Sequence, residues 1–151
     1  MTANTEPIFA LTPVVGTVLI DTANTEPIFS LTPVIGMGVI DTANTNRDGT
    51  GTIVSIITGS TDGTRITRIT IQAIGTTTAG MVRLYINTSA AIYLWKEVPV
   101  DAVTGSASVP EFVYVISLLG ENALILPSGY SLGASTHNEE DFNVIAEGGD
   151  Y

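Results

Sequence analysis

The sequence predicts an all-β protein, an antiparallel β-sandwich of jelly-roll-like form that is entered through an extended, internally duplicated N-terminal arm. Three observations lead there. Residues branched at Cβ dominate: 22 Thr, 17 Ile and 14 Val stand against 10 Leu and one Lys. Such side chains lose freedom in a helix but suit a pleated surface. Short apolar runs alternate with turn residues, which 15 Gly and seven Pro supply in number. Finally, the chain opens on a 20-residue unit repeated in tandem.

The repeat reads TANTEPIFALTPVVGTVLID over residues 2–21 and TANTEPIFSLTPVIGMGVID over 22–41, with 15 of 20 positions identical. A third TANT begins at Thr42 and runs on without another copy. Two units are too few for a solenoid, which needs about three to bury a continuous core. Each unit holds two prolines, Pro7 and Pro13 in the first, Pro27 and Pro33 in the second. Proline removes a backbone donor and drives its predecessor to extended geometry, so the front of each unit is not helical. The tails, Val14–Ile20 and Val34–Ile40, are strand candidates. Ile8, Phe9 and Leu11 in the first unit, and Ile28, Phe29 and Leu31 in the second, cannot be hidden by an extended segment. They pack either on the chain's own domain as edge strands or on a neighbouring subunit. The duplication favours the second: two near-identical peptides fit two near-equivalent receiving surfaces, which symmetric assemblies supply and linkage strengthens. These six side chains are the predicted interface, and the predicted division is an arm over 1–45 and a sandwich over 46–151.

Eight strand candidates follow, at 52–58, 65–75, 80–87, 91–98, 111–119, 123–126, 130–134 and 142–147, at the spacing of a sandwich or jelly roll. Val82, Leu84 and Ile86 face one way, with Arg83 and Tyr85 opposite. In the second run Ile69, Ile71 and Ala73 form the inward set. The run Phe112–Leu119 is apolar on both faces, which fits a central strand or a subunit contact.

The formal net charge is −10. It is distributed as −4 over residues 1–46, +3 over 47–96, where all five cations lie, and −9 over 97–151. Such a chain repels phosphate, which argues against nucleic-acid binding by counterion release and against an anionic membrane surface. No Cys is present, which removes disulfides and thiolate sites. The leading segment has no cation before Arg47, unlike a signal peptide, and no apolar run reaches the ~18–20 residues of a membrane span.

Residues with chemical potential were weighed against simpler roles. Asn44-Thr-Asn-Arg-Asp48-Gly49 resembles the front of a calcium loop, but Asn44 stands where Asp is needed and Ser55 where the bidentate Glu should be. A turn is expected instead. His137, the only histidine, lies in Ser135-Thr-His-Asn-Glu-Glu-Asp141, where an acid-paired imidazole is expected. Glu139, Glu140 and Asp141 are the minority calcium option, and no full metal-ligand set is predicted. Tyr85, Tyr93 and Trp95 could form a sugar-stacking platform, although burial of Trp95 is the stronger expectation. The sequon Asn87-Thr-Ser89 carries little without a secretory signal. Nothing resembles G-x-S-x-G, a P-loop or a dinucleotide fingerprint, so neither catalytic residues nor cofactors are predicted, and the chain does not read as an enzyme.

The stretch DTANTNRDGTGTIVSIITGSTDGTRITRITIQAIGTTTAGMVRLYI (41–86), with LWKEVPV (94–100), LPSGYSLGASTHN (126–138) and FNVIAEGGDY (142–151), resembles small phage and prophage virion proteins. The resemblance covers about 110 residues and implies a head-associated decoration or accessory protein on the outer surface of the virion head. Its implied partners are further copies of the chain, with a trimer as first expectation by analogy, and the major capsid protein or another virion protein. The duplicated arm departs from the single TANT segment of that family. A carbohydrate- or receptor-binding module on a phage fibre or cell surface is the alternative.

Overall fold

The computed structural model describes residues 32–119 and 122–151. They form nine strands: β1 (Thr32–Ile40), β2 (Val54–Thr58), β3 (Thr64–Ala73), β4 (Gly80–Asn87), β5 (Ile92–Val100), β6 (Val113–Ser117), β7 (Leu124–Leu126), β8 (Ser131–Thr136) and β9 (Phe142–Asp150). Every pairing between them is antiparallel. Sheet A runs β1-β9-β3-β6, with the short β7 also paired to β3; sheet B runs β2-β8-β4-β5.

Set β7 aside and the pairings nest. β4 pairs β5, β3 pairs β6, β2 pairs β8 and β1 pairs β9. The chain is thus one long antiparallel ribbon wound into two facing sheets, which is jelly-roll topology. The all-β sandwich expected from composition is the fold observed. All eight candidate strands are present, with their ends adjusted by a few residues.

Between the sheets, period-2 alternation places Ile66, Ile69 and Ile71 of β3 and Phe142, Val144 and Ala146 of β9 against Val82 and Leu84 of β4, Val98 of β5 and Leu132 and Ala134 of β8. All but a trace of these side chains is removed from water. At roughly 1.5–3 kcal/mol for a fully buried large apolar side chain, this layer is the main source of stability. Phe112 and Phe142 meet edge to face with ring centroids 6.3 Å apart, a favoured aromatic geometry.

The domain division differs from the sequence expectation. Thr32–Ile40, assigned to the arm, is the outer strand of sheet A and pairs with β9 along its whole length, from Thr32↔Asp150 to Ile40↔Phe142. Ile40 is 1% exposed and Val34 packs against the core. Asn44 is buried and its amide donates to the Thr136 carbonyl. Residues 32–45 are therefore part of the sandwich. Pro33 lies one residue into an edge strand, where a missing donor is tolerated. The predicted interface residues Ile8, Phe9, Leu11, Ile28, Phe29 and Leu31 lie outside the described residues.

Candidate docking surface

The outer faces of the two sheets are treated differently by the chain. After β1, residues 41–53 cross over to sheet B and lie as a strap on its outer face. Arg83 and Tyr85 point outward from β4, as alternation predicts, yet the strap buries them to 1% and 0% exposure. Tyr85 donates its hydroxyl to the Asn46 carbonyl at 2.8 Å. Arg83 donates Nη1 to the Asn44 carbonyl at 2.9 Å and Nε to Glu97 Oε1 at 2.9 Å, and its Nη2 lies 3.2 Å from His137 Nδ1. A guanidinium only donates, so Nδ1 is the accepting side of this contact. Arg47, on the strap, donates to the same Glu97 oxygen at 2.8 Å.

Asn44 completes the pin. Its side-chain amide donates to the Thr50 and Thr52 carbonyls at 2.9 and 3.0 Å, and its Oδ1 accepts from the Asn46 amide at 3.0 Å. Asp48 Oδ1 accepts from the amide and hydroxyl of Thr50, which hold its carboxyl below the usual range. The calcium-like segment is therefore a turn that fastens the strap, as expected.

The other expectations divide. His137 faces Arg83 rather than an acid, a correction to the acid-paired reading: its neighbours in sequence lie on a loop, while its neighbour in space comes from β4. Glu140 accepts from the amide and hydroxyl of Thr78. Among the described residues, no group of three or more His, Asp or Glu is placed to hold a metal ion. Tyr85 is buried, Trp95 packs against the core and only Tyr93 is well exposed, so the three rings form no common platform. A register shift between Leu84 and Tyr85 leaves Trp95 as an unpaired bulge residue on β5, which interrupts the alternation read from the sequence. Asn87 Oδ1 accepts from the Ser89 amide in a tight turn.

Glu97 is held below the ordinary glutamate range, chiefly by the hydrogen bond from Arg47, with desolvation opposing and Arg83 reinforcing. A carboxyl depressed in the folded state stabilises the fold above its unfolded value, about pH 4.3, and loses that contribution as pH falls through its folded value. Thermal melts are thus expected to drop on acidification below about pH 4.3, with a shallower acid limb in Glu97→Gln. An unchanged acid limb in that variant would separate Glu97 from the loss.

Sheet A has no strap among the described residues. Its cross-strand register places three rows on the outer face: Val39, Asn143, Gln72 and Val113; Met37, Ile145, Thr70 and Val115; and Ile35, Glu147, Arg68 and Ser117. The middle row presents only methyl-bearing side chains. Ile35, Met37 and Val39 at one edge are 59%, 67% and 47% exposed, and Val113 and Val115 at the other are 49% and 53% exposed. The charged pair of this face, Arg68 and Glu147, is joined by an ion pair, which lowers the Glu147 pKa and raises that of Arg68. Beside it lies an open depression of about 480 Å³, lined by Thr67, Arg68, Val115, Ser117, Leu119 and Glu147.

The run 112–119 is apolar on both faces because β6 is an edge strand: Phe112, Ile116 and Leu118 turn inward while Val113 and Val115 stay in water. The alternation in 34–40 could have shown the other half of the surface, but it was assigned to the arm. No protein-family model and no curated protein matches this sequence, so the surface is interpreted from its own geometry.

Proposed function

We propose that the chain is a structural subunit of a larger assembly, a virion protein of the head-decoration kind that docks on neighbouring subunits through its N-terminal arm. The observation that carries this reading is the unequal covering of the sheets: one outer face is strapped and hydrogen-bonded, while the other leaves five large apolar side chains on β1 and β6 in water. Contiguous exposed apolar surface of this kind marks interaction sites. A second copy of the chain is the occupant that best fits. At a net charge of −10, two copies repel through most surfaces, and this face, whose charged pair cancels, is one through which they can meet. In sequence, the predicted apolar residues Ile28, Phe29 and Leu31 lie just before β1. The jelly roll serves capsid and lectin domains alike, so topology alone does not choose between assembly and sugar binding. The burial of Tyr85 and the core packing of Trp95 favour assembly.

Light scattering tests the reading. The full chain is expected to be larger than a monomer, with a trimer the first expectation. The double variant Met37→Glu/Val115→Glu is expected to be monomeric with a thermal stability within about 0.5 kcal/mol of the original, as for exposed sites. A monomeric full chain that also fails to sediment with phage heads stripped of accessory proteins would overturn the proposal.

A further inference from the structure

β1 and the start of the strap are not unique in this chain. The structural unit that docks on β9 and sheet B is residues 32–45, TPVIGMGVIDTANT, and residues 12–25 read TPVVGTVLIDTANT. Ten of fourteen positions are identical. The register of β1 shows what the four differences mean. Ile35, Met37 and Val39 face outward into water, so Val15, Thr17 and Leu19 in their places disturb no core contact. The inward residues Val34 and Ile40 are matched by Val14 and Ile20.

Gly36 is the strictest position. A Cβ built there would lie 2.4 Å from the Ile56 carbonyl oxygen and 2.5 Å from Ile57 Cβ, so a side chain cannot enter without moving β2. The first copy has Gly16 at this place. At Gly38 the closest atoms a Cβ would meet are the side-chain ends Ile56 Cδ1 at 2.9 Å and Val54 Cγ1 at 3.0 Å, with the Ser55 carbonyl oxygen at an ordinary 3.6 Å; the side-chain ends can turn aside. Here the first copy departs, with Val18. Asn44, whose side chain and backbone together make five hydrogen bonds in the strap, is matched by Asn24.

We infer that residues 12–25 supply a second β1-and-strap segment, and that this segment can seat on β9 and sheet B of a second copy of this chain, in place of that copy's residues 32–45. The inference rests on the docking reading above and specifies its mode as strand exchange. Within one chain, residues 32–45 hold the slot because they join the strap directly. Seating 12–25 there would close a loop of twenty extra residues, a penalty growing as the 3/2 power of length and so about ninety-fold. The first copy is therefore left over by its own domain. Between chains, exchange of equivalent strands conserves the contacts made, and in an assembly the effective concentration of neighbours is high.

The chain has no cysteine, so single cysteines report the seat. Met37 is opposite Ile145 across the β1–β9 pair, and Thr17 occupies the place of Met37 in the first copy. Mixing a Thr17→Cys chain with an Ile145→Cys chain under mild oxidation is expected to yield a disulfide-linked heterodimer. A Met37→Cys/Ile145→Cys chain, the control, closes within a monomer. Adding Gly16→Val to the Thr17→Cys chain is expected to reduce the heterodimer at least tenfold, because the new side chain meets the Ile56 carbonyl. Absence of the heterodimer while the control closes would overturn the inference, as would a heterodimer indifferent to Gly16→Val. So would a Thr17→Cys/Ile145→Cys chain that closes only on itself. Light scattering of the unmodified chain keeps the two proposals apart: oligomers without the cross-link reject strand exchange alone, and monomers that also fail to sediment with stripped phage heads reject both.

Discussion

Deleting residues 1–41 is expected to abolish the cooperative fold, whereas deleting residues 22–41 alone is expected to preserve it. The first deletion removes β1 and bares the edge of β9 over nine residue pairs. It also removes Ile40, whose truncation alone would cost about 2–5 kcal/mol as a buried aliphatic side chain. With a total stability of about 5–15 kcal/mol for an ordinary domain, little remains to hold the sandwich. The second deletion is gentler because it joins Asp21 to Thr42, so that TPVVGTVLI enters the β1 position in the same frame. Its main cost is Val18 in place of Gly38, an overpacking of about 1–3 kcal/mol. Circular dichroism melts of the two truncations make the comparison. A sharp transition in the chain lacking 1–41 would show that β1 is an accessory strand. Loss of the transition in the chain lacking 22–41 would show that the copies are not interchangeable.

Arg83→Met is expected to destabilise the protein by about 3–5 kcal/mol, the usual cost of removing one partner from a buried charged network. Arg83 is 1% exposed and serves Glu97, the Asn44 carbonyl and His137 at once. Methionine keeps much of the volume but leaves the Asn44 carbonyl and His137 Nδ1 without this donor and Glu97 with Arg47 alone. Lysine would not rescue it fully, since a single ammonium cannot reproduce the planar fork that reaches three directions. Urea denaturation gives the magnitude, and hydrogen exchange at the strap amides of Asn44 and Asn46 gives the location. A loss below about 1 kcal/mol with unchanged protection would mean that Tyr85 and Asn44 hold the strap unaided.

Much of the fold was legible because its signals are local. Branched side chains at period 2 and Gly- or Pro-containing breaks placed eight strands, and the inward set Ile69, Ile71 and Ala73 was assigned to the correct face. Val34–Ile40 reads as a strand but was assigned to the arm, because it closes the second copy of the tandem repeat and the duplication favoured docking on a neighbour. Its pairing with β9 joins segments far apart in the chain, which no local pattern encodes. Exposure was less legible than facing. Arg83 and Tyr85 were placed outward correctly, but their burial depends on a strap arriving from another sheet, and no period within β4 encodes it. The apolar outer face of sheet A was invisible for a similar reason: it is assembled from β1, β9, β3 and β6, whose adjacency follows from topology. His137 makes the same point, since the partner of a loop residue is set by what the loop lands on.

The nesting of the strand pairs has a consequence for the order of events during synthesis. β4 and β5 are neighbours in sequence and can pair early, while Thr32 must find Asp150. Contacts across so long a separation form late, because loop closure precedes their reward. A chain emerging from the ribosome N-terminus first therefore carries β1 and its duplicate exposed until β9 is complete. Only then does β9 offer an edge, and for that interval the chain's own β1, joined directly to the strap, competes for it with the β1-like segments of neighbouring chains. If chains exchange strands as inferred above, this is the interval in which they do so. Once the strap has locked over Arg83, reversal requires the sandwich to open.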